Sequence, residues 1–232
     1  TMWEWGKMTD YIHDEIATDK RNPNINANGP IYGVNIANDE LSVLDPNLHL
    51  PLNLKVPTRD DPATIPPMIS QAMPQPSRFF GEKLIWNDPA NPHNPMMDHK
   101  GRVWMTSQFR GRGTPAFCRD GSAHTYAQYF PRDRSYRGFV FYEPDTEKFV
   151  MVDTCFGTHH LQFAEDEENR LFASGGGEII GWLDTDTYDE TGDEQFSQGW
   201  CPLVLDTNGD GVITKPWNEP TGTTRTSEEG AG

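Results

Sequence analysis

The stretch "DTNGDGVITKPWNEP" at 206–220 sets Asp206, Asn208 and Asp210 two residues apart and follows them with Gly211. Short oxygen-bearing side chains at that spacing converge on a hard cation, and the glycine permits the sharp turn of a calcium-type loop. The Val212 carbonyl adds a further oxygen. The pattern leaves the EF-hand where a bidentate Glu belongs: Trp217 stands there, after Pro216, which has no N–H to give a helix. Glu219 is the distal ligand that remains. The expectation is a structural calcium on Asp206, Asn208, Asp210, Val212 and Glu219, with another divalent metal as a variant; the competing reading is an ion-free group of Asx turns. The acidic run Asp184 to Glu194 reads as a solvated loop, with a second ion as the alternative.

His93, His159 and His160 are the other residues with chemistry in reach. Imidazoles gathered at one locus can hold a transition metal or act as bases near neutral pH, which makes His93 and His160 the catalytic candidates. The alternative is that each caps its strand. Seven arginines between Arg102 and Arg137 read as a solvated, ion-paired surface, with an anion contact as the rival. Nucleophilic serine motifs, phosphate-binding glycine loops, HExxH and CxxC are absent from the sequence. Cys118, Cys155 and Cys201 fit one disulfide, Cys118 to Cys155, with Cys201 free and buried; three buried thiols is the other arrangement.

The elements that would position these residues repeat. "HNPMMDHKGRVWMTS" (93–107) aligns with "HLQFAEDEENRLFASG" (160–175), His over His and Asp98 over Glu165, each an apolar strand, a polar turn and a second strand. "LSVLDPNLHLPLNLKV" (41–56) and "FVFYEPDTEKFVMV" (139–152) share a strand, an acidic residue with Pro, a turn and a strand; "IIGWLDTD" (179–186) begins a third copy. Two such hairpins in succession make a four-stranded antiparallel sheet. The expected fold is all-β, built of propeller-type blades; two copies and a partial third do not close a ring, so either the chain is part of a larger propeller or degenerate blades lie in 1–40 and 186–232. The expected organisation is an irregular segment at 1–38 packed on the propeller, blades over 39–220 with insertions at 56–79 and 108–137, and a flexible tail at 221–232. One or two helical turns are expected near 11–17.

With these hairpins in view, the chain resembles the streptogramin-lyase-like and SMP-30/NHL-type propellers. It is more closely similar to bacterial exported proteins described as carrying a carboxypeptidase regulatory-like domain, through "HDEIATDKRNP" (13–23), "GPIYG" (29–33), "GRVWMTS" (101–107), "TCFGTHHLQFAED" (154–166) and "LDTNGDG" (205–211). The lyase's Pro-His-Gly heading is replaced here by His93-Asn94-Pro95 and His159-His160-Leu161, so its catalytic residues do not carry over.

Composition narrows the function. Nineteen Lys+Arg against 35 Asp+Glu give a net charge of −16, contrary to the clustered cations a nucleic-acid binder needs. No run approaches the roughly 18–20 apolar residues that cross a bilayer as a helix. The opening at Thr1 suggests a processed chain or a fragment. A calcium loop and a disulfide together point to a periplasmic or secreted protein. The leading expectation is a calcium-stabilised binding or structural module for a protein or polymer partner, or for the rest of a larger assembly; the rival is a metal-dependent lyase or lactonase using a channel histidine. EDTA separates the two. A structural calcium predicts a lowered melting temperature, whereas the lyase predicts lost turnover with the melting temperature unchanged.

Overall fold

The computed structural model describes residues 12–66, 89–111, 113–174, 179–202 and 211. Its strands form three separate four-stranded sheets, each a meander of sequence neighbours paired antiparallel. The first sheet holds β1 (Ile12–Ile16), β2 (Ile31–Asn35), β3 (Glu40–Asp45) and β4 (Leu50–Lys55). The second holds β5 (His93–Met97), β6 (Val103–Gln108), β7 (Arg137–Glu143) and β8 (Lys148–Val152). The third holds β9 (His160–Phe163), β10 (Arg170–Ser174), β11 (Ile179–Asp184) and β12 (Gln198–Pro202). The all-β class and the repeated sheet unit therefore stand. No closure into a propeller is seen among the described residues.

The chain divides into two compact units, 1–113 with 136–153, and 114–135 with 154–232. The segment expected to be irregular supplies β1 and β2, and the expected helical turn is strand β1. A β-bulge between His13 and Glu15, with Asp14 at φ 54°, breaks the alternation and hides the strand from a period-two reading.

In the first unit, Val34, Leu41, Met97, Val103, Met105 and Val140 belong to one buried cluster to which the first and second sheets both contribute. Tyr32 and Tyr142 meet there with ring centroids 6.3 Å apart, and burial, followed by the Tyr142 phenol, pushes Tyr32 up to about 12. The central strand β6 is buried along its whole length, its polar half included: Ser107 donates to the Ala90 carbonyl at 3.1 Å and the Gln108 amide to the Pro66 carbonyl at 2.7 Å.

Two kinds of turn recur, each held by an acidic side chain. At the end of β3, the Asp45 carboxylate accepts the N–H groups of Asn47 (2.7 Å) and Leu48 (3.1 Å). At the end of β7, Glu143 accepts the Thr146 hydroxyl at 2.7 Å. Both turns close on a left-handed residue, His49 at φ 53° and Glu147 at φ 55°. In the third sheet the equivalent Asp184 caps helix α1 (Thr185–Thr191), accepting the Thr187 N–H at 2.8 Å, and Gly192 ends that helix at φ 66°. The run read as a solvated acidic loop is thus partly a capped helix.

The second kind joins β5 to β6 and β9 to β10. Asp98 accepts Arg102 Nε at 2.6 Å and Trp104 Nε1 at 2.8 Å, and takes the N–H groups of Lys100 and Arg102 on its other oxygen, both at 2.9 Å. Asp166 repeats the motif with Arg170, accepting its N–H at 3.1 Å and facing its guanidinium at 3.6 Å. The structural partner of Asp98 is therefore Asp166, one residue beyond the Glu165 of the sequence alignment. The first pair is buried and the second partly exposed. Arg102 also lies over the rings of Trp104 and Phe141, at 5.3 and 4.8 Å.

This contrast predicts unequal costs. Asp98→Ala strands a buried guanidinium and should destabilise by about 3–5 kcal/mol, whereas Asp166→Ala, beside a half-exposed arginine, should cost about 1 kcal/mol or less. Urea denaturation of the two variants checks the ranking.

Candidate functional site

The second unit carries the most elaborated surface. Residues 114–135 leave the sheets as one long loop whose base is closed three times. The Thr114 and Ser135 hydroxyls meet at 2.6 Å, the Arg132 N–H donates to the Cys118 carbonyl at 2.7 Å, and a disulfide joins Cys118 to Cys155 with both residues fully buried. Long loops held by their own packing are where binding groups concentrate. Cys201 is the free cysteine, half-buried and not fully buried as expected.

Inside the loop, backbone bonds from Tyr129 and Phe130 to the Tyr126 carbonyl, at 3.1 and 2.8 Å, wind a tight turn. His124 lies beneath it, 6% exposed, stacked on Trp200 of β12 at 4.7 Å and on Phe117 at 6.0 Å. Its Nε2 is 2.8 Å from the Gln195 carbonyl, which can only accept, and its Nδ1 receives the Tyr126 N–H at 3.2 Å. The two contacts select the neutral Nε2–H tautomer. Burial lowers the His124 pKa, outweighing the Gln195 carbonyl and the Asp193 carboxylate, which act to raise it. Trp200 Nε1 donates to the Phe130 carbonyl at 2.8 Å.

The sheet is shaped to receive the loop. In the ladder, Trp182 and Trp200 sit on opposite faces, because Trp182 pairs with Gly199 and Gly181 with Trp200. The Tyr126 ring touches both, edge-on to Trp182 at 5.3 Å and tilted to Trp200 at 5.7 Å, so the loop lies along the β12 edge. A Cβ at Gly199 would strike the Trp182 and Tyr126 rings, and one at Gly181 would strike buried Phe156. These glycines are spacers for aromatic packing. Covering the β12 edge also removes a row of backbone groups from unwanted pairing.

The loop and the turn after α1, both fastened to the His124–Trp200 stack, carry exposed rings: Tyr129 is 72% exposed, Phe130 39% and Phe196 73%. The turn is itself fixed, with Phe196 and Ser197 N–H groups bonded to Asp193 and the Gln198 amide bonded to the Glu194 carbonyl. Gln198 in turn accepts the Cys155 N–H at 2.8 Å, linking turn and disulfide. From 108–137, sequence reasoning draws only the arginines and Cys118; the available signal is the aromatic density of "HTYAQYFP" (124–131).

The expected catalytic residues take equivalent places. His93 opens β5 and His160 opens β9, each the first strand of its sheet. They belong to different units, His93 to the first and His160 to the second. His159 and His160 are exposed neighbours with ring centroids 4.3 Å apart. Among the described residues no group of His, Cys, Asp and Glu is arranged to hold a metal. The expected ligands Asp206, Asn208, Asp210, Val212 and Glu219 lie outside the described residues.

The arginines form the solvated, ion-paired surface expected of them only in part: Arg119 and Arg134 are exposed and Arg110 is ion-paired, but two others are not on the surface. Arg102 and Arg137 are buried, Arg137 donating to Asn91 and to the Thr106 hydroxyl. Arg110 pairs with Asp153, which Arg59 also approaches at 3.4 Å, and Arg119 donates to the Thr114 carbonyl at 2.8 Å. In the first unit a cavity of about 450 Å³ is lined by Asp39, Lys55, Pro57, Thr58, Pro62 and Pro89, among others. Asp39 there accepts the Ala90 and Asn91 N–H groups at 3.1 and 2.9 Å, and Lys55 donates to the Asn38 carbonyl, so both charges serve the fold. Exposed Leu48, Leu50 and Leu52 lie on or beside edge strand β4, whose Pro51 and Lys55 discourage strand addition.

No family model matches the chain, and no curated protein matches it. Among solved structures, a luciferin-regenerating enzyme aligns over 77% of this chain and 58% of its own, at 12% identity and a TM-score of 0.31. The chain thus spans less than two thirds of that protein, and a likeness of this size carries no argument about fold or activity. The resemblance to streptogramin-lyase-like propellers and to exported proteins with a carboxypeptidase regulatory-like domain is corrected: no family model or curated protein supports it. Three separate sheets without ring closure replace the propeller, and hairpins held by acidic turn residues account for the motifs that suggested it.

Replacing both half-cystines, Cys118→Ser with Cys155→Ser, should loosen the loop. With a sequence separation of 37, the chain-entropy relation gives a loss of about 4 kcal/mol. Denaturant unfolding of the double variant beside the parent measures it.

Proposed function

We propose that this chain is an exported binding module whose partner-facing surface is formed by the loop 114–135 and the turn 193–197. The observation that carries the reading is the exposure of Tyr129, Phe130 and Phe196 on backbone fastened by a disulfide and by the buried His124–Trp200 stack. Aromatic rings held in place before binding lose little freedom on contact, and they dominate the energetics of interfaces. The net charge of −16 favours a protein or an uncharged polymer as partner over nucleic acid. A disulfide persists in an oxidising compartment, which supports a periplasmic or secreted location. The calcium-type spacing of Asp206, Asn208 and Asp210, with Val212 and Glu219, supports a structural ion in the segment following β12.

Peptide and glycan arrays probed with the parent and with a Tyr129→Ser/Phe196→Ser variant test the reading. The expected result is an array signal that falls about tenfold or more in the variant, with the melting temperature unchanged. Turnover of a lactone or lyase substrate by the parent, abolished in His93→Ala or His160→Ala, would contradict it.

A further inference from the structure

His124 is placed where a proton cannot be added without breaking a contact. Its Nε2–H faces the Gln195 carbonyl at 2.8 Å, and its Nδ1 lone pair faces the Tyr126 N–H at 3.2 Å. A second proton must go to Nδ1, where two N–H groups would then point at one another. The same proton would place a cation in a site 6% exposed, between Phe117 and Trp200, neither of which carries a charge. The Asp193 carboxylate, from the turn after α1, acts on the ring and favours the cation, as does the Gln195 carbonyl. The Tyr126 ring lies 5.9 Å from the His124 ring. Burial outweighs the favourable groups, so the ring remains neutral below its ordinary value of 6.5.

We propose that protonation of His124 releases the tip of the 114–135 loop from the β12 edge, so that the aromatic surface is assembled near neutral pH and dismantled in acid. The consequence for partners rests on the binding reading above; the release rests on the geometry of His124 alone. The sign follows from linkage. The unfolded or undocked ring takes up its proton near 6.5 and the docked ring only at lower pH, so docking is fully stable above 6.5 and weakens as pH falls through the docked value. Release breaks the interactions that His124 organises: its stack on Trp200, the Gln195 bond and, with Tyr126 displaced, the Trp200 bond to the Phe130 carbonyl. Cys118 stays tied to Cys155, and the Arg132 bond lies beside that tie, so opening is confined to about residues 119–131 and is reversible.

Amide hydrogen exchange on the disulfide-intact protein, corrected for the intrinsic pH dependence of exchange, tests this directly. Between about pH 7.5 and pH 5, protection of peptides within 119–131 and 193–198 should fall about tenfold or more, while β10 and β11 keep theirs. His124→Gln has an amide that can donate to Gln195 and accept from Tyr126 but does not titrate, and its loop should stay protected in acid. Unchanged protection in the parent, or opening of His124→Gln at the same pH, would overturn the proposal. NMR of the parent supplies a second measure that needs no variant. The His124 ring should titrate below 6.5 together with the Trp200 indole N–H signal; a ring that titrates at or above 6.5 with that signal unmoved would also overturn it. Loop opening in acid without array binding at either pH supports the release and counts against the binding reading. Array binding that persists in acid with the loop protected overturns the release alone.

Discussion

The second unit depends on a single covalent constraint, the link between Cys118 and Cys155. A loop of the length of 114–135 has too few apolar side chains to hold its own shape, and closing it in the unfolded chain costs entropy that grows with its length. The disulfide fixes the base of the loop, which lets a small number of aromatic contacts fix its tip. His124, Tyr126 and Trp200 then pack against one another, and the unit uses glycines at 181 and 199 to make room for rings. Backbone order at the tip keeps Tyr129, Phe130 and Phe196 in water, where burial would otherwise be favoured.

The first unit solves a similar problem without a covalent tie. Its turns are held by carboxylates that accept backbone N–H groups, and one of them, Asp98, is buried deeply enough that every acceptor position matters. The same device recurs with Asp45, Asp166 and Asp184, in hairpins and once at a helix start. An acidic residue at the end of a strand is thus the rule by which this chain turns. It explains in part why so acidic a sequence folds into ordered sheets: these carboxylates are bonded to backbone.

Legibility in the sequence followed the same division. The hairpins of the second sheet, those headed by Leu41 and His160, and the strand that opens at Ile179 were readable because apolar alternation and turn residues are local signals. Strand β1 was not, since its bulge at Asp14 breaks the alternation. The matching of Asp98 with Asp166 needed the side-chain contacts, because the second turn is two residues longer and a bulge in β5 offsets only one of them, displacing the alignment by one. Arg102 and Arg137 misled for a physical reason: a charge count does not say whether a guanidinium finds an acceptor indoors. The preferred cysteine pairing matches the structure, while the aromatic loop was missed because rings such as Tyr129 and Phe196 follow no period that marks them for solvent.

The aromatic surface exists only if the loop is covalently anchored at its base. Peptide mapping of the non-reduced protein after alkylation of free thiols tests that most directly. The expected result is one cross-linked peptide pair containing Cys118 and Cys155, with alkylation at Cys201 only. Three alkylated cysteines, or a cross-link that includes Cys201, would contradict the anchoring and the arrangement of the aromatic surface derived from it.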